Sequence, residues 1–233
     1  MARGSRLLVL TCEHGGHRVP APYAALFAGQ RRILRGQRGW DPGALPLARR
    51  LARRFGAPLH AATVSRLVVD TNRSLHHRRL FSELTAGLAE PQRSALLERF
   101  YFPYRDAVEA AVAAGVRRGR PVLHVSVHSF APSLGGVRRA CDVGLLYDPR
   151  RRAERVFCAR WQARLRARAP GLRVRRNHPY RGNADGLTTH LRRRFGAPAY
   201  RGIELEVSQA HLAPGRGRTI GKLLEESLAE LLR

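Results

Sequence analysis

Apolar and polar positions alternate along the chain in blocks that read as strand, helix, strand. LLVLT at residues 7–11 is a short continuous apolar run, the pattern of a strand buried on both faces. Residues 42–55 place Leu47, Leu51 and Phe55 on one helical face with Ala48 beside them. SRLVVD at 65–70 is a second apolar run and predicts a strand. Residues 91–118 predict a helix, bent near Pro103. Strands are expected again at 121–128, 143–148 and 201–207, with an arginine-rich helix at 150–167. The C-terminal helix, 218–232, turns Ile220, Leu223, Leu224, Leu228 and Leu231 to one side. Apolar strands alternating with amphipathic helices predict an α/β fold, with a mostly parallel sheet covered on both faces.

A length of 233 residues suits one good-sized α/β domain spanning 1–233, or at most two small ones, and a hydrophobic share of 44% is that of a globular chain. MARGSR leads into only four strongly apolar residues, and no run approaches the roughly 18 residues of a membrane helix. A soluble, cytoplasmic protein with no membrane partner is therefore expected. Cys12, Cys141 and Cys158 are too widely spaced for a zinc knuckle and do not suggest a disulfide framework; Cys12 reads as a small buried hydrophobe.

Charge changes the picture more. The formal net charge is +26, from 43 basic and 17 acidic residues, and Lys222 is the only lysine. Such a balance fits binding to a polyanion such as nucleic acid. The arginines, however, fall in pairs and triplets on several elements: Arg49-Arg50, Arg53-Arg54, Arg117-Arg118, 150–152 and 192–194. They form no single stripe and no aromatic pattern runs with them. Solvated arginines are thus the favoured reading and a nucleic-acid partner the lesser one. The oligomeric state is not legible.

Candidate chemistry collects at strand ends, where open α/β sheets carry their sites. The first run ends at Glu13-His14-Gly15-Gly16, and the glycines permit a sharp turn or a close backbone approach. The second ends at Asp70, followed by Thr71-Asn72-Arg73. The third ends at His128, and the late strand carries Glu204 and Glu206 on one face. A catalytic zinc takes three protein ligands and leaves a position for water. His14 and His128 are the natural nitrogen ligands, while His124, four positions earlier on the same face as His128, reads as a core histidine. The third ligand is Asp41 or Glu13. Asp41 in GWDPG stands in a loop that can reach the sheet edge, although Asp before Pro at a helix start is more commonly an N-cap. One of the two late glutamates can serve as general base, and Arg73 can grip a substrate carboxylate with two hydrogen bonds.

With these motifs in order, the chain resembles the N-formylglutamate amidohydrolases. The resemblance runs through TCEHGGHRVP (11–20), WDPGAL (40–45), SRLVVDTNRS (65–74), VSVHSFAP (125–132), DVGLLYD (142–148), NHPYRG (177–182) and GIELEVSQ (202–209). It implies a three-layer α/β sandwich like that of the zinc-dependent exopeptidases, of phosphorylase/hydrolase-like architecture. It implies one zinc ion per chain, held by His14, Asp41 and His128, with Glu206 as catalytic base and Glu204 as second choice. Asn72 and Arg73 would hold the substrate carboxylate, and Asn177 and Tyr180 would line its pocket. The implied reaction is hydrolysis of a small acidic substrate, N-formyl-L-glutamate, to formate and L-glutamate. Ser208 and Ala210 depart from the family pattern, which often has Arg and Asp there, so the substrate is open. A related amidase or carboxypeptidase acting on a peptidoglycan stem or another N-acyl amino acid is the first alternative, and a non-catalytic polyanion-binding protein the second.

Overall fold

The computed structural model describes residues 6–213 and 215–233. In chain order the elements are β1 (Leu7–Cys12), α1 (Arg31–Arg35), α2 (Ala44–Phe55), β2 (Leu59–Ala61), α3 (Glu90–Leu96), α4 (Phe102–Arg117), β3 (Val122–Phe130), β4 (Ser133–Leu134), β5 (Val137–Arg138), β6 (Val143–Leu146), α5 (Arg152–Arg168), β7 (Val174–Arg176), α6 (Leu187–Arg194), β8 (Tyr200–Ser208) and α7 (Gly217–Leu232). Six strands form one sheet in the order β2-β1-β3-β8-β6-β7, and β4 and β5 form a separate small hairpin. The strands β2, β1, β3 and β8 are parallel, while β6 runs antiparallel to β8 and carries β7 parallel to itself. The sheet is therefore mixed and mostly parallel, and helices cover both faces.

The two faces differ because the side-chain period of a strand is two. On one face, Leu8, Leu10, Leu123, Val125, Val127, Ile203, Leu205 and Val207 pack against α2, α5 and α7. Leu51, Trp161, Leu165, Leu224 and Leu228 are fully buried there. On the other face, Val9, Val122 and Tyr200 pack against Val108 and Val112 of α4 and Leu187 and Leu191 of α6. That second core is smaller because the face gives way to polar side chains toward the strand ends. In β3 these are His124, Ser126 and His128, whose partners in β8 are Gly202, Glu204 and Glu206.

Two sequence expectations change. Residues 65–70 do not form a strand. The Ser65 hydroxyl accepts from the Leu67 N–H at 3.2 Å, and the Val68 N–H donates to the Ser65 carbonyl at 2.9 Å. A side chain that binds its own neighbouring backbone favours a turn over a ladder. Leu67 and Val68 are buried with Phe27 and Leu96, beside the sheet rather than in it. The bend expected near Pro103 is a wide π-type turn over Leu97–Tyr101, in which the Phe102 N–H reaches the Leu97 carbonyl. Proline cannot donate in the helical ladder, and the wider turn absorbs that break. The short β2, β7 and α6 lie in stretches too brief or too polar to show a period.

His124 illustrates how the polar face is satisfied. Its Nε2 lies 2.7 Å from Thr11 Oγ1 and its Nδ1 2.6 Å from the Tyr200 hydroxyl. Burial drives its pKa down from the ordinary 6.5 to about 4, against the opposing charge of Glu13. The unfolded chain thus takes up a proton near pH 6.5 that the folded chain refuses until about pH 4. Stability from this group is complete above the upper value and is lost as pH falls through the window. Urea titrations across it should show a flatter pH dependence for His124→Gln than for the wild type, by on the order of 3 kcal/mol.

Candidate metal centre

β1 delivers Glu13 and His14 one and two residues past its end. The following backbone runs against residues 62–63, with the Gly15 N–H on the Ala62 carbonyl at 2.9 Å. A β-carbon on Gly16 would stand 2.5 Å from the Thr63 carbonyl oxygen, so the approach requires glycine. The backbone N–H of Asp41 donates to the His14 carbonyl at 2.9 Å, which fixes the WDPG loop beside the strand end. The helix after that loop begins at Ala44, and its N-cap residue is Gly43, with no side-chain cap. Asp41 is thus not the cap; its carboxylate points to the histidines. His128 arrives from β3, next to Glu206 in the register.

His14, Asp41 and His128 are all buried, and one donor atom from each lies within 4.8 Å of the others. Asp41 Oδ2 is 2.9 Å from His128 Nδ1 and 3.5 Å from His14 Nδ1. The outer nitrogen of each ring is already engaged. His14 Nε2 lies 2.8 Å from Asp70 Oδ1. Behind His128, the Ser126 hydroxyl donates to Glu13 Oε2 at 2.6 Å. Having spent its only hydrogen, Ser126 accepts from His128 Nε2 at 2.7 Å, and Glu13 Oε2 lies 3.1 Å from the same nitrogen. Both imidazoles therefore carry a hydrogen on Nε2 and turn Nδ1 toward Asp41. Rings oriented by a carboxylate at the far nitrogen are the usual partners of a divalent cation. His14 Nδ1 is buried without a hydrogen-bond partner, which is the fit a cation would complete. Glu13, weighed as an alternative ligand, sits behind His128 instead.

Charge supports this arrangement. Burial opposes ionisation of Asp41, yet the charges and hydrogen bonds of His14 and His128 hold its carboxyl far below the usual range. Glu13 is likewise held ionised against burial by His128 and Ser126, and Asp70 by Arg66 and His14. His128 in turn is raised well above an ordinary histidine, because Asp41 and Glu13 outweigh its desolvation. A cation entering the cluster takes the place of that proton.

The two late glutamates separate. Glu204 accepts from Thr188 Oγ1 at 2.5 Å. Glu206 is buried, and its Oε2 has no hydrogen-bond partner. Burial pushes its pKa up to about 8, with Asp41 and Glu204 adding to the rise and His128 and Arg66 opposing it. A cation nearby would favour the ionised carboxylate and lower that pKa again.

Asn72 and Arg73 are held by their surroundings. Asn72 Oδ1 accepts from the Leu187 N–H at 2.8 Å, at the start of α6. Arg73 Nη1 donates to the Asp185 carbonyl at 3.1 Å, while its Nε is buried and lacks a hydrogen-bond partner. Asn177 braces its own loop, since its Oδ1 accepts from the N–H groups of Tyr147 and Gly182. The loop passes over Gly144, where a β-carbon would lie 2.2 Å from the His178 carbonyl and 3.2 Å from Glu206 Cβ. Tyr180 is exposed and stacks under Arg139. Sequence reasoning gave no role to Asp70, Ser126 or Arg66. The signal for Ser126 was present: in HVSVH it shares a face with both histidines.

Comparison with known proteins places this geometry in context. No curated protein matches the chain. Among solved structures, the gene product Atu2144 of Agrobacterium tumefaciens is 29% identical, with a TM-score of 0.83 over 99% of this chain and 92% of that one. The N-formylglutamate amidohydrolase of Ralstonia eutropha JMP134 is 21% identical, with a TM-score of 0.68 over 98% and 92% of the two chains, and shares the fold. The model of the N-formylglutamate amidohydrolase family matches residues 6–213. With nearly its whole length matched, the chain belongs to the N-formylglutamate amidohydrolase family.

Proposed function

We propose that the protein is a metal-dependent amidohydrolase that removes the N-formyl group of an acidic amino acid, N-formyl-L-glutamate being the substrate the family implies. The observation that carries the reading is the unpartnered His14 Nδ1 facing Asp41 and His128, with the buried, unpartnered carboxylate of Glu206 close by. His14, Asp41 and His128 would hold one zinc ion per chain. Bound there, the ion supplies Lewis acidity toward the amide carbonyl and makes a water molecule acidic enough to lose a proton near neutral pH.

The protein's own groups do the rest. Glu206 takes the proton of the attacking water as the new carbon–oxygen bond forms. It then returns that proton to the departing nitrogen as the carbon–nitrogen bond breaks, giving formate and the free amine. An elevated pKa suits a carboxyl group that must both accept and donate within one cycle. Glu204, held by Thr188, is the poorer candidate for the base. Arg73 offers its free edge to the substrate carboxylate and orients the amide over the site. Asn72 holds Arg73 in place through its bond to α6, and the loop with Asn177 and Tyr180 borders the Glu206 side. Ser208 and Ala210 leave the acyl group and side chain to be decided by a panel of N-acyl amino acids.

Elemental analysis should find about one zinc per chain in the wild type and none in His128→Ala, since the deletion removes one of three protein ligands. Protein without metal after zinc is supplied would end the hydrolase reading. Glu206→Gln should keep its zinc and lose turnover of N-formyl-L-glutamate by about 10²–10⁴-fold, as expected for loss of a general base; full activity would remove Glu206 from the mechanism. Arg73→Ala should raise KM for the acidic substrate by about 10–100-fold, the worth of a charged hydrogen-bond pair. An unchanged KM would place the substrate carboxylate elsewhere.

A further inference from the structure

Among the described residues, Arg66 is the one guanidinium that reaches both carboxylates flanking His14. Its Nε and Nη2 donate to Asp70 Oδ2 at 3.2 and 2.8 Å, and its Nη1 stands 3.7 Å from Asp41 Oδ1. Each carboxylate is thereby divided between two tasks. Asp70 gives Oδ2 to Arg66 and keeps Oδ1 for His14 Nε2 at 2.8 Å and the Asn72 N–H at 3.0 Å. Asp41 gives Oδ1 to Arg66 and turns Oδ2 to both histidines. Arg73 does not share this role: it approaches Asp70 alone, at 3.8 Å, and is anchored on the Asp185 carbonyl.

We propose that Arg66 is a positioning residue of the metal centre, one that sets the rotation of Asp41 and Asp70 and so aims a ligand oxygen and a ligand imidazole together. This rests on the metal-centre reading above and goes beyond it by naming a side chain that is not a ligand. The reason is geometric. A carboxylate rotates freely about its last bond unless both oxygens are occupied. Arg66 hydrogen-bonds the far oxygen of Asp70, where its planar fork fixes the carboxylate plane, and stands as an ion-pair partner 3.7 Å from the far oxygen of Asp41, which its charge attracts. It also supplies the positive charge that lets two carboxylates lie buried within reach of one imidazole. A lysine would supply the charge without the fork.

The test is zinc affinity, measured by competition with a chromophoric chelator on metal-stripped wild type, Arg66→Met, Arg66→Lys and Leu67→Ala. Leu67 follows Arg66 in the same turn and its side chain is buried in the apolar cluster with Phe27, Val68 and Leu96, so its truncation reports general loosening of the segment. Arg66→Met should bind zinc about 10–100-fold more weakly than wild type, Arg66→Lys should fall between them, and Leu67→Ala should stay within about twofold. Should Arg66→Met fail to fold, Arg66→Gln takes its place beside Arg66→Lys. Affinity within about twofold of wild type in the Met or Gln variant overturns the proposal, as does an equal loss in Leu67→Ala. Wild type that binds zinc while the Arg66 variants bind it equally well defeats this proposal alone. Wild type that binds no zinc defeats the metal-centre reading and this proposal with it.

Discussion

Everything at the strand ends depends on pairing ionisable groups that water does not reach. Glu13, His14, Asp41, Asp70 and His128 are each 3% exposed or less. An isolated charge in that environment is prohibitive, and only mutual neutralisation with good hydrogen bonds makes it tolerable. The structure meets this by alternating signs. Arg66 lies against Asp70, Asp70 against His14, Asp41 between the two histidines, and Glu13 behind His128. The groups come from four separate segments, with Glu13 and His14 on one and Arg66 and Asp70 on another. The turn at residues 65–70, the loop at Asp41 and the ends of β1 and β3 must all be in register before any of the charges is satisfied.

The sheet supplies the register. Continuous apolar faces on β1, β3 and β8 bind α2, α5 and α7, and that pattern was plain in the sequence as the LLVL run of β1 and the alternate Leu, Val and Ile positions of β3 and β8. The opposite face was also readable where period two brings His124, Ser126 and His128 to one side. What the sequence could not show is pairing across long separations. Nothing local in SRLVVDTNR says that Asp70 meets His14, or that Arg66 meets Asp41. The run at 65–70 has strand composition, and only Ser65, by bonding its own backbone, diverts it into a turn. Asp41 has the look of an N-cap for a related reason: proline and glycine after an acid signal a helix start. The loop uses them to place the acid two residues before the N-cap, Gly43, and on the histidines instead.

The arginine excess also reads differently once its partners are known. Arg192 is buried, meets Glu154, and donates to the carbonyls of Gly182 and Gly202. Arg151 closes on the carbonyls of Arg192, Tyr200 and Phe195. Arg105 caps the carbonyls of Thr71 and Arg73, directly behind the candidate substrate clamp. These arginines bind backbone oxygens where loops leave the helical and strand ladders, a task the five donors of a guanidinium suit and an ammonium does not. Others, such as Arg168 with Glu226 and Glu230, join α5 to α7 at the surface, where each pair contributes little. A net charge counted from composition does not distinguish these uses.

The same accounting identifies where folding is left incomplete. Among the described residues eight buried side-chain atoms have no hydrogen-bond partner, and four of them belong to Glu13, His14, Arg73 and Glu206. Unpaired buried polar atoms cost stability, so a cluster of them in one place is not a neutral feature of packing. They differ in kind as well. His14 offers a lone pair, Arg73 an N–H, and Glu206 a carboxylate oxygen held near its protonation point. A lone pair suits a cation, a guanidinium N–H suits an anion, and a raised carboxyl suits a proton in transit. A cation and an acidic amide would complete all three at once, and each would bind the folded chain in preference to the unfolded one. Such ligands would return the stability forgone at the site, which would tie the folding of this region to the chemistry proposed for it.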